Sequence, residues 1–405
     1  MRIALISNYI PDNSPSMNLY ARMLQRLLAR CGHAVEVVYP PAVFGAFPLL
    51  RGEPAKWIGY IDKYLLAPPY LRWKIRKAEL VHVCDHSNSM YLRCAGGKPR
   101  VITCHDLIAV LAAENAYAAV EVRRTGKVLQ RWIKKELLRA PHVICVSRKT
   151  EADLQSLGPA KALRSHVIYS PLNRRFGLAE RAEIEGTLAR LQLDPSTNYL
   201  FHVSGNGFYK NRTGVMKIFA ALRKKPEFAA MRLVMAGKPW TRELKTLRGS
   251  LCLGDAAVEA GAVSDQDLRA LYSGAQALLF PSLQEGFGWP VLEAQACGCP
   301  VITSNRPPMT EVAGEGAIFI DPDRPEAAAA TIARDWPRRA ELRQLGYDNL
   351  KRFAEDEAAA EYCRVYQEVL ARPVHAGWKR DPAPTSAPAK DCRAGDGGKE
   401  ERPRK

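Results

Sequence analysis

The sequence predicts an α/β protein built from two doubly wound parallel-sheet domains that face a cleft. Three observations carry this. The chain has 405 residues, too many for one ordinary core and enough for two of about 150–200 residues each. Each half opens with a short apolar strand, a helical stretch and a second strand. The second half also holds a strand, glycine-rich loop, helix and strand over residues 276–305, QALLFPSLQEGFGWPVLEAQACGCPVITSN.

In that segment Gln276 to Phe280 reads as a buried strand. Pro290 suits the first turn of a helix, where a missing N–H costs nothing. Gly298 suits the left-handed position that ends a helix, and Cys299 to Ser304 is the next strand. A glycine loop feeding a helix N-terminus after a parallel strand is a place for phosphate, because free N–H groups and the helix dipole point outward. Glu285 stands in the loop and Glu293 one turn into the helix. Helical side chains lean back toward the N-terminus, so both carboxylates can face one ligand.

The string EGFGWPVLEAQACGCPVI resembles the donor-site signature of retaining glycosyltransferases of family 4, which have the GT-B fold of two Rossmann-like domains. The resemblance implies transfer of a hexose, mannose among the candidates, from a nucleotide diphosphate sugar to an acceptor hydroxyl with retention. It implies donor contacts from Gly286, Phe287, Gly288, Val291, Leu292 and Glu293. Glu285 would lie beside the sugar ring, where positive charge develops.

In the first half, Arg2 to Ser7 is a strand, Ser16 to Cys31 a helix with Leu19, Met23, Leu24, Leu27 and Leu28 on one face, and Val35 to Tyr39 a strand. No G-x-G-x-x-G follows, which argues against a dinucleotide domain. The intervening turn, residues 11–16, lacks the glycine of the family pattern. Residues 41–79 read as irregular, aromatic and basic. They fit either an inserted helix pair packed on the sheet or a membrane interface. Strands at Leu80 to Cys84 and Val101 to Cys104 follow, and the second ends in His105-Asp106, where open α/β sheets keep ligands. The resemblance gives His105 a catalytic or orienting role and places Asp106 on the acceptor side. A helix at Lys127 to Arg139, a strand, the Ser147 turn and a helix come next, then a last strand in VIYSPLNRRF.

In the second half, Tyr199 to Val203 is a strand, and its turn, residues 204–211, carries Gly205, Lys210 and Asn211. Open backbone followed by a lysine at a helix start suits a diphosphate. The family's arginine is absent and Tyr209 stands there, so Arg212 is the substitute cation. Strands at Arg232 to Met235 and Val258 to Ala260 follow, and Gly261 and Val263 correspond to the family's base-binding turn. Ser264 is a credible N-cap for a helix from Asp265. Helices are expected at 325–335 and 338–371, the end of the latter crossing back to the first domain.

The expected division is therefore 1–175 with 350–371 as the acceptor domain, 176–349 as the donor domain, and 373–405 as a disordered tail rich in Pro, Gly and charge. Ten cysteines without C-x-x-C pairs fit a reducing compartment, so a cytoplasmic setting is expected. No D-x-D pattern stands at a strand end facing the site, so neither metal nor cofactor is expected beyond the nucleotide sugar. Net charge is +17, yet no nucleic-acid docking motif is present. The basic, aromatic stretches 56–77 and 123–149 instead point to an anionic membrane surface on which the protein would be peripheral, with a glycan or lipid-linked acceptor. A sugar-nucleotide epimerase of the same fold, a phosphorylase-like enzyme and a non-catalytic nucleotide-sugar-binding protein remain as alternatives.

Overall fold

The structure is a computed structural model that describes residues 1–45, 58–117, 120–159, 163–172, 174 and 176–371. The expected tail and the 56–57 end of the basic stretch lie outside these residues. Two parallel sheets organise the rest. The first contains β1 (Arg2–Ile6), β2 (Ala34–Val38), β3 (Leu80–Val83), β4 (Arg100–Cys104), β5 (His142–Cys145) and β6 (Arg164–Val167), in the order β2-β1-β3-β4-β5-β6. The second contains β7 (Tyr199–Ser204), β8 (Arg232–Gly237), β9 (Ala257–Gly261), β10 (Ala277–Phe280), β11 (Val301–Ser304) and β12 (Ala317–Ile320), in the order β12-β11-β10-β7-β8-β9.

The central strands are buried on both faces, which is why they read as continuous apolar runs and not as alternating ones. Helices cover the faces. The helix Pro15–Arg30 buries Tyr20, Met23, Leu24, Leu27 and Leu28 against the first sheet. Each fully buried leucine of that stripe contributes about 1.5–3 kcal/mol relative to exposure. Gly298, at φ +68°, closes the helix Trp289–Ala296 as expected.

Three expectations need correction. Residues 58–77 are not irregular but follow the packed-helix reading as a single run, with a π-turn at Asp62–Leu66 and with Ala67, Leu71 and Ile75 buried in the first sheet's core. The buried Asp62 carboxylate at the start of this turn receives the Tyr9 hydroxyl and the N–H groups of Val43, Phe44 and Gly45. The last strand of the first sheet lies at Arg164–Val167, upstream of the apolar run that pointed to it. The expected helix 338–371 is two helices, Arg339–Leu350 and Glu355–Ala371, because Ala354 is extended at φ −63°, ψ 138°.

The helix Glu355–Ala371 crosses back to the first sheet. It packs Ala358, Tyr362, Val365, Tyr366 and Val369 into that sheet's core. A fully buried polar chain holds it there. The Tyr366 hydroxyl lies 2.6 Å from His82 Nδ1, and His82 Nε2 lies 2.7 Å from Thr103 Oγ1. Thr103 Oγ1 is 2.8 Å from the Tyr20 hydroxyl, which is 2.7 Å from that of Tyr362. Outside, Arg26 and Arg30 meet Glu355 at 2.6 and 2.8 Å.

Burial, with help from neighbouring His105, pushes the His82 pKa down to about 3. The unfolded chain takes up a proton below about 6.5, whereas the folded chain resists it until far lower pH. This site's stabilisation is therefore complete above pH 6.5 and drains away as pH falls toward 3. The thermal midpoint is expected to fall from pH 7 to pH 5, and His82→Gln, less stable at neutral pH, to fall less steeply. A slope in that variant equal to the parent's would rule out His82 as a source.

Candidate active site

The site lies where the carboxyl ends of both sheets meet. From the second sheet come the turn after β7 and the loop after β10. Lys210 Nζ lies 2.8 and 2.9 Å from the two oxygens of Glu285, and Ser282 Oγ donates to Glu285 at 2.8 Å. The Leu283 N–H donates to the Tyr209 carbonyl at 2.8 Å, so the two loops are stitched together. Burial alone would lower the Lys210 pKa; the Glu285 charge and hydrogen bond outweigh it and leave the pKa above the ordinary value. Tyr209, standing where the resemblance expects arginine, lays its ring 5.3 Å beneath the Lys210 ammonium.

From the first sheet comes His105, at the end of β4. Its Nε2 lies 2.8 Å from the Cys84 carbonyl, and its ring meets Tyr20 edge-on. A carbonyl only accepts, so Nε2 carries the proton and Nδ1 is left as an acceptor. Burial holds the ring below its ordinary pKa despite Asp85, so it is neutral at pH 7. Asp106 caps the helix that follows by accepting the Ile108 N–H at 3.0 Å, and its charge also reaches Lys210.

Gly286 joins the halves. Its carbonyl accepts from Ser147 Oγ at 2.6 Å and from Thr150 Oγ1 at 3.1 Å. A Cβ at this position would stand 1.7 Å from the His105 carbonyl oxygen and 2.8 Å from Asp106 Cβ. Glu311 receives the Arg148 N–H at 2.7 Å, and the rings of Tyr117 and Phe208 meet at 5.4 Å across the same cleft. The structure is thus closed over the site.

The other expected residues are more dispersed. Glu293 is buried and accepts the Tyr272 hydroxyl at 2.9 Å. Burial pushes its carboxyl up to about 7, against the pull of Tyr272 and Arg174. The Val291 and Leu292 side chains are wholly in the core, and the Val291 N–H donates to Gly288. Gly288 is left-handed at φ +99° beside Met309. Phe287 is buried and packs on Phe353 at 5.9 Å. Asn211 caps the next helix through the Gly214 N–H and donates to Pro281, so its amide is committed to the scaffold. Arg212 turns inward to Asn206 and to the Lys238 carbonyl at 2.8 Å, leaving Nε and Nη2 without a hydrogen-bond partner among the described residues. A side chain at Gly205 would meet open space, Gly261 ends β9, and Val263 packs against the second core.

Sequence reasoning missed the first-domain cluster Asn8, Asp85, His86 and Asn88, all buried. The signal was present: Asp85-His86 ends β3 as His105-Asp106 ends β4. It also missed Ser147 and Thr150 as the receptors of Gly286.

Comparison with known families adds two matches in tandem. A model described as Glycosyltransferase Family 4 matches residues 17–175, and one described as Glycosyl transferases group 1 matches residues 185–347. The chain belongs to the group 1 glycosyltransferases. This glycosyltransferase is 27% identical to an O-antigen chain mannosyltransferase of Salmonella typhimurium, over 73% of its own chain and 74% of the relative. It is 24% identical to the MMP alpha-(1->4)-mannosyltransferase of Mycolicibacterium hassiacum, over 92% and 99%. Among solved structures, sucrose-phosphate synthase from Thermosynechococcus elongatus superposes with a TM-score of 0.71 at 22% identity, covering 92% of this chain and 99% of that one. An Anabaena protein in complex with UDP and glucose gives a TM-score of 0.67 at 16% identity, covering 91% and 99%. These likenesses show the GT-B fold.

The Gly286 contact yields a direct test. Gly286→Ala is expected to push the two halves apart, because backbone and not a flexible tip blocks the new methyl. Small-angle scattering should show a larger radius of gyration than the parent, and transfer activity should fall at least about tenfold. An unchanged radius with full activity would show that closure does not pass through this point.

Proposed function

We propose that this glycosyltransferase moves a hexose, with mannose the first candidate, from a nucleotide diphosphate sugar to a glycan or lipid-linked acceptor. It does so with retention and without a metal ion. The mannosyltransferase relatives support the sugar. The observation that carries the reading is the Lys210–Glu285 pair, held where the loop after β10 meets the first sheet.

Breaking the bond between sugar and phosphate places negative charge on the leaving diphosphate. Lys210, the open backbone about Gly205 and the start of the helix at Trp289 are set to receive it. Positive charge develops on the ring, where Glu285 offers a carboxylate. Glu293 accepts ribose hydroxyls, and ionises more fully as it gains those donors. His105 Nδ1 accepts a sugar hydroxyl. Gly261 and Val263 flank the base, and closure excludes water. The donor thus belongs to the second domain and the acceptor to the first.

The enzyme works on the cytoplasmic face of a membrane. Among the described residues no helix is long and apolar enough to cross one. The helices at 58–74 and 124–137 instead share a surface, joined by the Tyr64 and Trp132 rings at 5.3 Å. There Ile61, Leu65, Val128 and Trp132 are 42%, 68%, 64% and 37% exposed. Arg124, Arg131 and Lys135 are exposed on the same helix as Trp132. Apolar side chains flanked by cations suit anionic headgroups, at about 1 kcal/mol per basic residue.

Glu285→Ala is expected to cut turnover at least about a hundredfold while nucleotide binding, followed by thermal shift, survives. The parent enzyme should turn over fully in EDTA. Full activity in the variant removes Glu285 from the chemistry, and a requirement for added Mn2+ removes the metal-free mechanism. In sedimentation, phosphatidylglycerol vesicles should carry the protein down and phosphatidylcholine vesicles should not. Equal binding to both, or no loss in Arg124→Glu/Arg131→Glu/Lys135→Glu, ends the membrane assignment.

A further inference from the structure

The cluster Asn8, Asp85, His86 and Asn88 sits at the carboxyl ends of β1 and β3, beside His105 at the end of β4. β1, β3 and β4 are consecutive in the sheet. All four side chains are at least nine-tenths buried, with exposures of 6%, 5%, 7% and 8%. Asn8 Nδ2 donates to Asp85 Oδ2 at 2.6 Å, and the Ser87 N–H donates to Asp85 Oδ1 at 2.8 Å. His86 Nδ1 lies 3.3 Å from Asp85 Oδ1, without the alignment of a hydrogen bond.

Three buried atoms in this cluster have no hydrogen-bond partner among the described residues: Asn8 Oδ1, His86 Nδ1 and Asn88 Nδ2. The first accepts, the third donates, and the imidazole nitrogen does either according to tautomer. A native interior seldom leaves three such atoms together without a ligand or water to meet them. Hydroxyl groups, each donating and accepting, meet all three.

The charge of the cluster says more. Burial by itself would raise the Asp85 carboxyl; His86, His105, the Asn8 amide and the Ser87 N–H together hold it below its ordinary value. It is therefore an anion at neutral pH. The charged groups acting most strongly on it are two histidines, with neither lysine nor arginine among them. The nearby Lys63, whose ammonium stands 5.7 Å from the Tyr9 ring centre, is paired with Asp12 at 2.9 Å. In the second domain Lys210 is bound to Glu285.

Resting on the glycosyl-transfer reading, we propose that this cluster seats the acceptor and selects an uncharged, polyhydroxylated sugar over a phosphorylated one. Asp85 accepts hydrogen bonds from two of the sugar's hydroxyls and repels a phosphate, and Asn8, His86 and Asn88 fix the orientation of the sugar.

Saturation-transfer NMR on the full chain with a saturating nucleoside diphosphate tests this. The matched probes are D-mannose and D-mannose 6-phosphate. The uncharged sugar is expected to bind at least about tenfold more tightly than the phosphate, since a like charge in a buried seat is little screened. Asp85→Asn should narrow the ratio to about twofold, and Asp85→Lys should reverse it. Equal binding of the two probes by the parent, tighter binding of the phosphate, or no signal from either overturns the assignment without any variant. The nucleotide's own signal reads the underlying function separately: if it is missing, the glycosyl-transfer reading fails first and takes this one with it.

Discussion

One hydrogen-bonded close approach sets the geometry of the site. The Gly286 carbonyl is received by Ser147 and Thr150, and its missing side chain lets the loop after β10 lie directly on the His105 carbonyl. Glu285 precedes this point by one residue, so the contact fixes where its carboxylate lies relative to β4. Lys210 is fixed in turn through Glu285 and through the Leu283–Tyr209 backbone bond. Two loops from one sheet and one strand end from the other thus share a single reference point. Residues far apart in the chain are held to hydrogen-bonding tolerance without any of them lying on a rigid element of the other half.

The charges at this point are balanced in pairs. Lys210 and Glu285 neutralise each other, and Glu293 rests against the Tyr272 hydroxyl with its carboxyl shifted toward the neutral form. Removing one member of a largely buried pair commonly costs about 3–5 kcal/mol, because the other is left desolvated and alone. On the proposed reading, a diphosphate would give Lys210 a second anionic partner and free Glu285 to face the sugar ring.

Much of this was legible in the sequence. The central strands of both sheets showed as apolar runs, because parallel strands covered on both faces have no alternation to hide. The E-x7-E loop, Lys210 and His105 were legible because strand ends and glycine turns mark where such sheets bind ligands. What failed was tertiary in origin. The helical run at 58–77 was obscured by Pro68, Pro69 and a polar Asp62, and only the fold shows that Asp62 serves the N–H groups of residues 43–45. The break at Ala354 has no Pro or Gly to announce it. The guanidinium of Arg212 is turned toward Asn206 and Lys238, an orientation its position in the sequence does not announce. Asn8 and Asp85 were missed because 77 positions separate the two partners.

The return of Glu355–Ala371 to the first sheet carries a consequence for how such an enzyme diversifies. Tyr362 and Tyr366 complete an interior that begins at Tyr20 and His82, so the amino-terminal half is an interrupted unit whose final piece is encoded last. A gene cut at the midpoint and rejoined to a foreign partner would deliver a first domain with its lid left behind on the other parent. An exchange that keeps this interior intact takes an internal block, running from the connection after β6 to the bend before Glu355. Each first domain then travels with its own closing helix.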